Sequence, residues 1–510
     1  MLSTRLRLDP SPVARFPSLV THAWGWALAA FALGGLIALL PPAYSLALLA
    51  GGGLAALSLW EPAIGLGCAL LLGPTRAYLA AAGYYGPLYD FGQLFFALAF
   101  AGWLRHNALR REIVVPRLGV LLPLAAWIAV GLVSLFGAAE WRDGLNESLK
   151  WLEVGVIIVI ARAEARRGRL GWIVGAALAS GVAQAGLGVW QYAWRGAGPE
   201  SFQLPGGFYR AYGTFEQPNP FGGFLGLVWP VAAGLALGFF DQALRRRKAF
   251  SGQPPAPGSG GSGFGIWGFI RRLIPALGLA AIAGIMLVGL YVSFSRGGWL
   301  GAGAAALGLL AFFPRRLSLG LGLAVAALAG GWLMLTAGLA PASIAARLAN
   351  VTDFVAVADV RGLNINDANF ALVERLAHWQ AAQAMAEAHP WLGVGLGNYA
   401  AAYPDYRLLN WPFHLGHAHN VYLHTLAETG VIGLAAYGSY WAAVIILTLR
   451  ALGRTSGWRR GLALGLLGVW LHLLAHHLVD NLHVNNLDLL LAAYVGMLYA
   501  LHTPWDPLRD

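Results

Sequence analysis

Apolar runs of about membrane length follow one another along nearly the whole chain, separated by short breaks marked by proline, glycine or clustered arginine. Crossing ~30 Å of hydrocarbon takes ~20 helical residues. Runs of about that size fall at 24–40, 43–60, 62–80, 88–104, 118–137, 147–161, 170–194, 219–240, 273–293, 297–313, 317–338, 424–449, 461–479 and 486–502. The pattern predicts an all-α polytopic membrane protein with 12–14 spans, the lower figure applying if two of the runs are re-entrant. All 510 residues are read as one integral membrane domain, whose first span is retained because no small-residue cleavage site follows Met1–Arg15.

Two segments break the rhythm. Residues 249–264, AFSGQPPAPGSGGSGF, have the composition of a disordered linker and no apolar periodicity. Residues 339–423 form a long non-spanning segment, within which Leu372, Leu376, Trp379, Ala382 and Met385 recur at helical spacing until His389-Pro390 stops the helix. The expectation here is a partly helical cap.

Composition agrees with the pattern: 58% of residues are hydrophobic and only 11% charged, too much apolar surface for one soluble core. The single Cys68 excludes a disulfide framework and a cysteine-based metal site. Arginine adds sidedness, because loops kept in the cytoplasm retain positive charge. With Met1 inside, the clusters Arg110-Arg111, Arg166-Arg167, Arg245–Lys248, Arg315-Arg316 and Arg459-Arg460 all fall on the inner side. The net charge of +11 is therefore read as topology and not as nucleic-acid binding. The same parity places 339–423 outside, with Arg210 and Arg296.

Those outer polar residues are the candidates for chemistry. Arg210 sits in FYRAYGTFEQPNPFGG, and Arg296 lies in SFSRGG between two apolar runs with almost no loop to hold it. A guanidinium offers a planar fork of donors suited to phosphate; at a membrane boundary it pairs, snorkels or serves function. Four histidines, His414, His417, His419 and His424, crowd the start of the run at 424–449. His417 and His419 form a His-x-His pair, yet no well-spaced carboxylate completes a four-ligand set, so no metal is expected.

His419 and Asn420 are followed by nine residues, then Gly430, two more residues and Gly433. This spacing resembles the signature of the bacterial O-antigen ligase and O-antigen polymerase superfamily. HPWLGVGLGNYAAAYPDY at 389–406 resembles that family's outer loop, and RAYGTFEQPNPFGG and SFSRGG resemble its two arginine-bearing motifs. The likeness covers roughly 200–450; the first 200 residues match only as generic spans.

The resemblance implies a glycosyltransferase of the bacterial inner membrane with its active site at the periplasmic face. Its donor would be a glycan on undecaprenyl diphosphate and its acceptor a sugar hydroxyl, on the lipid A core or on another glycan, with the ligase type favoured over the polymerase. It further implies that Arg210 and Arg296 bind the diphosphate and that His419 acts at the acceptor; the residues themselves add Asn420, His417, Glu428 and Asp480 as candidate supporting groups, the last two as orienting carboxylates. No cofactor and no nucleic acid is expected. Many lipid-linked glycosyltransferases hold a cation with an acidic pair in their first outer loop, whereas Pro41–Ala43 carries no carboxylate, so a metal-independent, inverting reaction is expected. Two alternatives stay open: a small-solute transporter of the same superfamily, and a protein O-oligosaccharyltransferase.

Overall fold

The computed structural model describes residues 3–7, 41–116, 118–204, 206–250, 266–341, 345, 359–366 and 369–501. The predicted first span and residues 251–264 of the linker lie outside them. Helices α1 (Pro42–Trp60), α2 (Pro62–Leu72), α3 (Arg76–Ala81), α4 (Phe91–Leu109), α5 (Leu121–Ser134), α6 (Trp141–Glu164) and α7 (Leu170–Ala193) come first. They are followed by α8 (Pro218–Phe250), α9 (Ile266–Val292), α10 (Arg296–Phe312), α11 (Leu317–Thr336), α12 (Phe370–Ala388) and α13 (Tyr399–Tyr406). The last three are α14 (Val421–Arg454), α15 (Gly457–His476) and α16 (Leu487–Leu501). Each of the predicted runs from 43–60 onward is helical, and the predicted cap helix is α12.

The chain is an all-α polytopic membrane protein. Among the described residues, six helical stretches are long and apolar enough to cross a membrane: 62–81, 141–193, 218–245, 273–292, 317–336 and 421–454. The stretch 141–193 joins α6 and α7, which Gly168, at φ +82°, breaks apart. Three shorter apolar helices, 49–60, 121–137 and 487–501, do not reach that length, so among the described residues, which exclude the first predicted run, fewer stretches qualify by length and hydropathy than the 12–14 spans expected of the whole chain. The linker was expected to begin at 249, but α8 continues to Phe250. One feature the hydropathy pattern does not show is a short antiparallel pairing of β1 (Ser3–Arg7) with β2 (Glu112–Pro116), in the register Ser3↔Pro116 to Arg7↔Glu112.

Helix α8 is the centre of the bundle. Every residue from Phe221 to Ala232 is buried, as expected of a helix apolar on all sides. Helix α11, with 6% of its span buried, is peripheral. The α8–α15 contact is built from glycine: Gly234 and Gly238 face Gly457, Gly461 and Gly465, each spaced by four. A Cβ on Gly234 would stand 2.4 Å from the Gly461 carbonyl oxygen, and one on Gly461 2.4 Å from that of Gly234. Between membrane helices, whose apolar surfaces gain little from burial against each other, such small-residue ridges permit the backbone approach that dispersion requires. This contact joins the second half of α8 to the first half of α15; at the other end of the pair, where the candidate site lies, Gly223 and Gly226 face the side chains of Leu482, His476 and His472. At the far end of α10, Arg460 donates to the Phe312 and Phe313 carbonyls at 2.8 and 3.0 Å.

Because the atoms opposing each Cβ are backbone, Gly461→Leu has no side chain to displace. The expected cost is about 3 kcal/mol, at the upper end for overpacking, read as a lowered midpoint of thermal unfolding in detergent. Gly303→Leu, at a glycine with open space around it, is expected to leave the midpoint unchanged.

Candidate active site

Three helices begin and one ends around the site. Ser295 caps α10 by accepting from Gly298 N at 3.1 Å, which makes Arg296 its first residue. Asn420 caps α14 by accepting from Leu423 N at 3.0 Å, which leaves His419 just before the cap. Asn420 also donates to the Leu478 carbonyl at 3.1 Å, and Val421 N donates to that of His477 at 2.9 Å. These bonds clip the His-Asn pair onto the end of α15. The residues preceding the two caps, Phe294 and His419, have φ of +50° and +53°. Non-glycine residues in this region carry of order 1 kcal/mol or more of strain and gather at functional sites.

A chain of hydrogen bonds joins the predicted residues across 270 positions of sequence. Arg210 donates through Nε to the Ser293 carbonyl at 3.0 Å and through Nη2 to Asn219 Oδ1 at 3.1 Å. Asn219 passes the link on, its Nδ2 donating to Asp480 Oδ2 at 2.9 Å. The other oxygen of Asp480 lies 3.3 Å from His419 Nδ1. Arg375, from α12, stands with Nη2 3.9 Å from Asp480 Oδ2, and donates through Nε to the Val479 carbonyl at 3.3 Å. Arg296 enters differently: its buried Nε has no hydrogen-bond partner among the described residues. Neither does His419 Nε2.

Electrostatics hold the cluster in defined charge states. Burial raises the cost of ionising Asp480, but the hydrogen bond from His419 and the positive charge of Arg375 outweigh it and keep the carboxyl well below its usual range. It is an anion at any physiological pH. Burial, with the nearby charge of His419, pushes His417 down to about 3 and His378 down to about 4, so both are neutral at pH 7. His417 accepts from His419 N at 3.1 Å, and its ring lies 4.4 Å from that of His419.

Of the residues expected to support His419, the structure brings Asp480, Asn420 and His417 to it, but not Glu428. The Glu428 carboxylate accepts from Gly397 N and Tyr399 N, both at 2.9 Å, and so anchors the loop 389–399. Gly430 serves the same docking. At φ +64° it interrupts α14, and a Cβ there would stand 2.2 Å from the Trp391 carbonyl carbon. Loop and helix meet backbone to backbone, Val394 N donating to the Ala427 carbonyl and Val431 N to that of Pro390, both at 2.9 Å. The glycine in the spacing after His419-Asn420 is therefore required by a close approach. Asn219 and Arg375 were missed. Asn219 had a signal, an amide between two prolines inside a quoted motif; Arg375 had none beyond its place on the predicted cap helix.

With this geometry in place, the comparison with known families is informative: residues 281–438 match the family described as O-antigen ligase. The match, over just under a third of the chain, supports the O-antigen ligase and polymerase superfamily. The matched segment holds Arg296, Arg375, His417, His419, Asn420 and the Gly430 kink; Arg210, Asn219 and Asp480 fall outside it and are joined to it by the hydrogen bonds above. No curated protein matches the chain. The family supports a glycosyltransferase acting on glycan and lipid-linked substrates in general.

Histidine also makes the cap sensitive to acid. His378 is 1% exposed, and its Nδ1 lies 2.9 Å from the Tyr399 hydroxyl. Its folded pKa of about 4 is below the unfolded value near 6.5, so the unfolded chain binds the extra proton between these values. Its contribution is thus fully present above pH 6.5 and is lost as the pH falls towards 4, reaching up to about 2 kcal/mol by pH 5. Hydrogen exchange corrected for intrinsic rates should show residues 370–406 less protected at pH 5 than at pH 7. His378→Gln should flatten that difference.

Proposed function

We propose that this chain is a metal-independent, inverting glycosyltransferase of the O-antigen ligase type, which moves a glycan from undecaprenyl diphosphate to a sugar hydroxyl at the periplasmic face of the bacterial inner membrane. The observation that carries this reading is the continuous link Arg210–Asn219–Asp480–His419, together with Arg296, whose buried Nε has no hydrogen-bond partner among the described residues. A phosphate-binding group and a proton-accepting group are thereby held in one rigid frame.

The chemistry follows from the arrangement. The acceptor oxygen attacks the anomeric carbon as the bond from that carbon to the diphosphate oxygen breaks, and the electron pair leaves with the diphosphate. Attack opposite the leaving group inverts the centre. His419 takes the hydroxyl proton: donating Nδ1–H to Asp480 leaves the Nε2 lone pair for the acceptor, and the anionic carboxylate stabilises the imidazolium that forms. Arg296 and Arg210 receive the growing charge on the diphosphate, aided by the positive N-terminal ends of α8 and α10. The outward orientation is supported by the arginine asymmetry, since Arg245, Arg315, Arg316, Arg459 and Arg460 sit at the ends of α8, α10 and α15 remote from the site.

His417, His419 and Asp480 place three donor atoms within 4.8 Å of one another, the number a catalytic zinc ion uses. Against a resident ion stands the occupancy of Asp480. Oδ1 accepts from Asn481 N at 2.9 Å and faces His419; Oδ2 accepts from Asn219 and faces Arg375. An ion would have to displace these partners.

His419→Ala is expected to lower transfer from a defined polyprenyl-diphosphate glycan by about 10²–10⁴-fold while leaving binding of polyprenyl diphosphate intact. Arg296→Ala is expected to weaken that binding about 10–100-fold, the loss of a charge-assisted bond. EDTA should not change the rate. A rate that collapses in EDTA and returns with zinc would refute the metal-free mechanism, and unimpaired transfer by His419→Ala would refute the base.

A further inference from the structure

The start of α6 carries polar residues that the site above does not use. Asn146, Glu147, Lys150 and Glu153 recur at intervals of one and three, which puts them on one face of a helix that is otherwise apolar enough to cross a membrane. A charged residue at the centre of a membrane helix costs about 2.5–3.5 kcal/mol, so such a face needs water, a partner or a ligand. Here it lines two adjoining cavities, of about 430 and 570 Å³, which share Asn146, Lys150, His483 and Val484 as common wall. Both volumes fall in the ~300–1,000 Å³ range of small-molecule sites.

The wall is rigid where it is apolar and accessible where it is polar. Trp127, Trp151 and Tyr437 are nearly buried and meet edge to face at 5.4–6.0 Å, closing the back of the first cavity. His483 is pinned between the Tyr437 hydroxyl at 3.0 Å and Asp488 at 2.6 Å. By contrast, Asn146 is exposed, and Lys150, 49% exposed, pairs with Glu147 at 2.5 Å. Lys150 is thus matched by that carboxylate and Arg76, on the wall of the second cavity, by Asp90 at 3.2 Å, while Glu153 and Asp488 add further acidic groups. An anionic diphosphate is disfavoured here. Neutral hydroxyls suit it, since each can donate to a carboxylate and accept from Lys150 or Asn146. The first cavity also comes within one side chain of the reacting group, because His417 lines it and its ring lies 4.4 Å from that of His419.

We propose that these two cavities are the acceptor subsite and take the terminal sugars of an uncharged, hydroxyl-rich glycan, with Asn146, Glu147 and Lys150 as the recognising side chains. This rests on the transferase reading above. The donor then approaches from the guanidinium side of His419 and the acceptor from the carboxylate side.

The test uses the full chain in lipid nanodiscs with two binding probes, a neutral hexose oligosaccharide and polyprenyl diphosphate, together with transfer kinetics. Asn146→Trp fills the space from an exposed position, and Lys150→Ala removes donors. Both are expected to weaken oligosaccharide binding and raise the acceptor KM about tenfold or more, as lost hydrogen bonds do, with polyprenyl diphosphate binding within about twofold; that retained binding also reports a folded protein. Unchanged oligosaccharide binding in both variants, an equal loss of both probes, or no oligosaccharide binding by the unaltered protein would overturn the subsite. The two readings fail separately. Unaltered protein that binds both probes but transfers nothing removes the transferase reading alone, whereas active protein whose variants keep the acceptor KM removes the subsite alone.

Discussion

The site depends on how closely α8 and α15 approach. Their glycine ridges bring backbone against backbone at Gly234 and Gly238, and nearer the site Gly223 and Gly226 let the side chains of Leu482, His476 and His472 pack directly on α8. At the end of that contact Asn219, from the first turn of α8, meets Asp480, four residues beyond α15, at 2.9 Å. A displacement of 1 Å would break this bond, and with it the link between Arg210 and His419. Hydrogen bonds tolerate little error, so a hydrogen-bonded relay between separate helices needs a scaffold whose separation is set by hard contact. Glycine provides one, and the central burial of α8 keeps it from tilting.

The reactive side chains are attached to this scaffold in one recurring way. Arg296 and His419 each adjoin a helix cap, Ser295 and Asn420. A capped helix start is locally stiff, because the side-chain bond fixes the entry of the chain, and its free N–H groups give it a positive end. The left-handed turns at Phe294 and His419 aim the following or bearing residue where an extended backbone would not. Strain of this size persists only where neighbours over-determine it. For His419 those neighbours are the clips from Asn420 and Val421 to the end of α15.

Much of this was legible in the sequence, for reasons that differ from element to element. Hydrophobic runs report helices because lipid tolerates only satisfied backbone, and each of the described runs is helical. The cap helix α12 was visible from spacing that ends at His389-Pro390. Arg210, Arg296 and His419 stood out because each is polar where the chain is otherwise preparing to enter lipid. Asn219 and Arg375 were not legible as members of the cluster, since their partner Asp480 comes from a third element and pairing of that kind leaves no periodic trace. Glu428 shows the opposite error: nearness to His419 along one helix suggested cooperation, but nine residues and the Gly430 break give it a different neighbour, the loop 389–399. The polar face of α6 was readable as a pattern, but only the cavities beside it distinguish a wetted groove from a solvated surface.

Asp480 explains why one carboxylate rather than two is associated with the histidine. It is surrounded by donors on both oxygens, and its anionic form is favoured despite burial. A second carboxylate there would compete for the same donors and raise the acid range of the first, as like charges sharing a site do. Glu147, Glu153 and Asp488 stand instead along the α6 cavities, with Lys150, His483 and Arg76 among them. Around His419 the guanidinium groups of Arg210 and Arg375 stand with Asn219 and Asp480, whereas along the α6 cavities the cations Lys150 and Arg76 are each matched by a carboxylate. Such a field distinguishes an anionic leaving group from a neutral nucleophile before either is in contact, and it orders two substrates around a single imidazole without requiring the backbone to move.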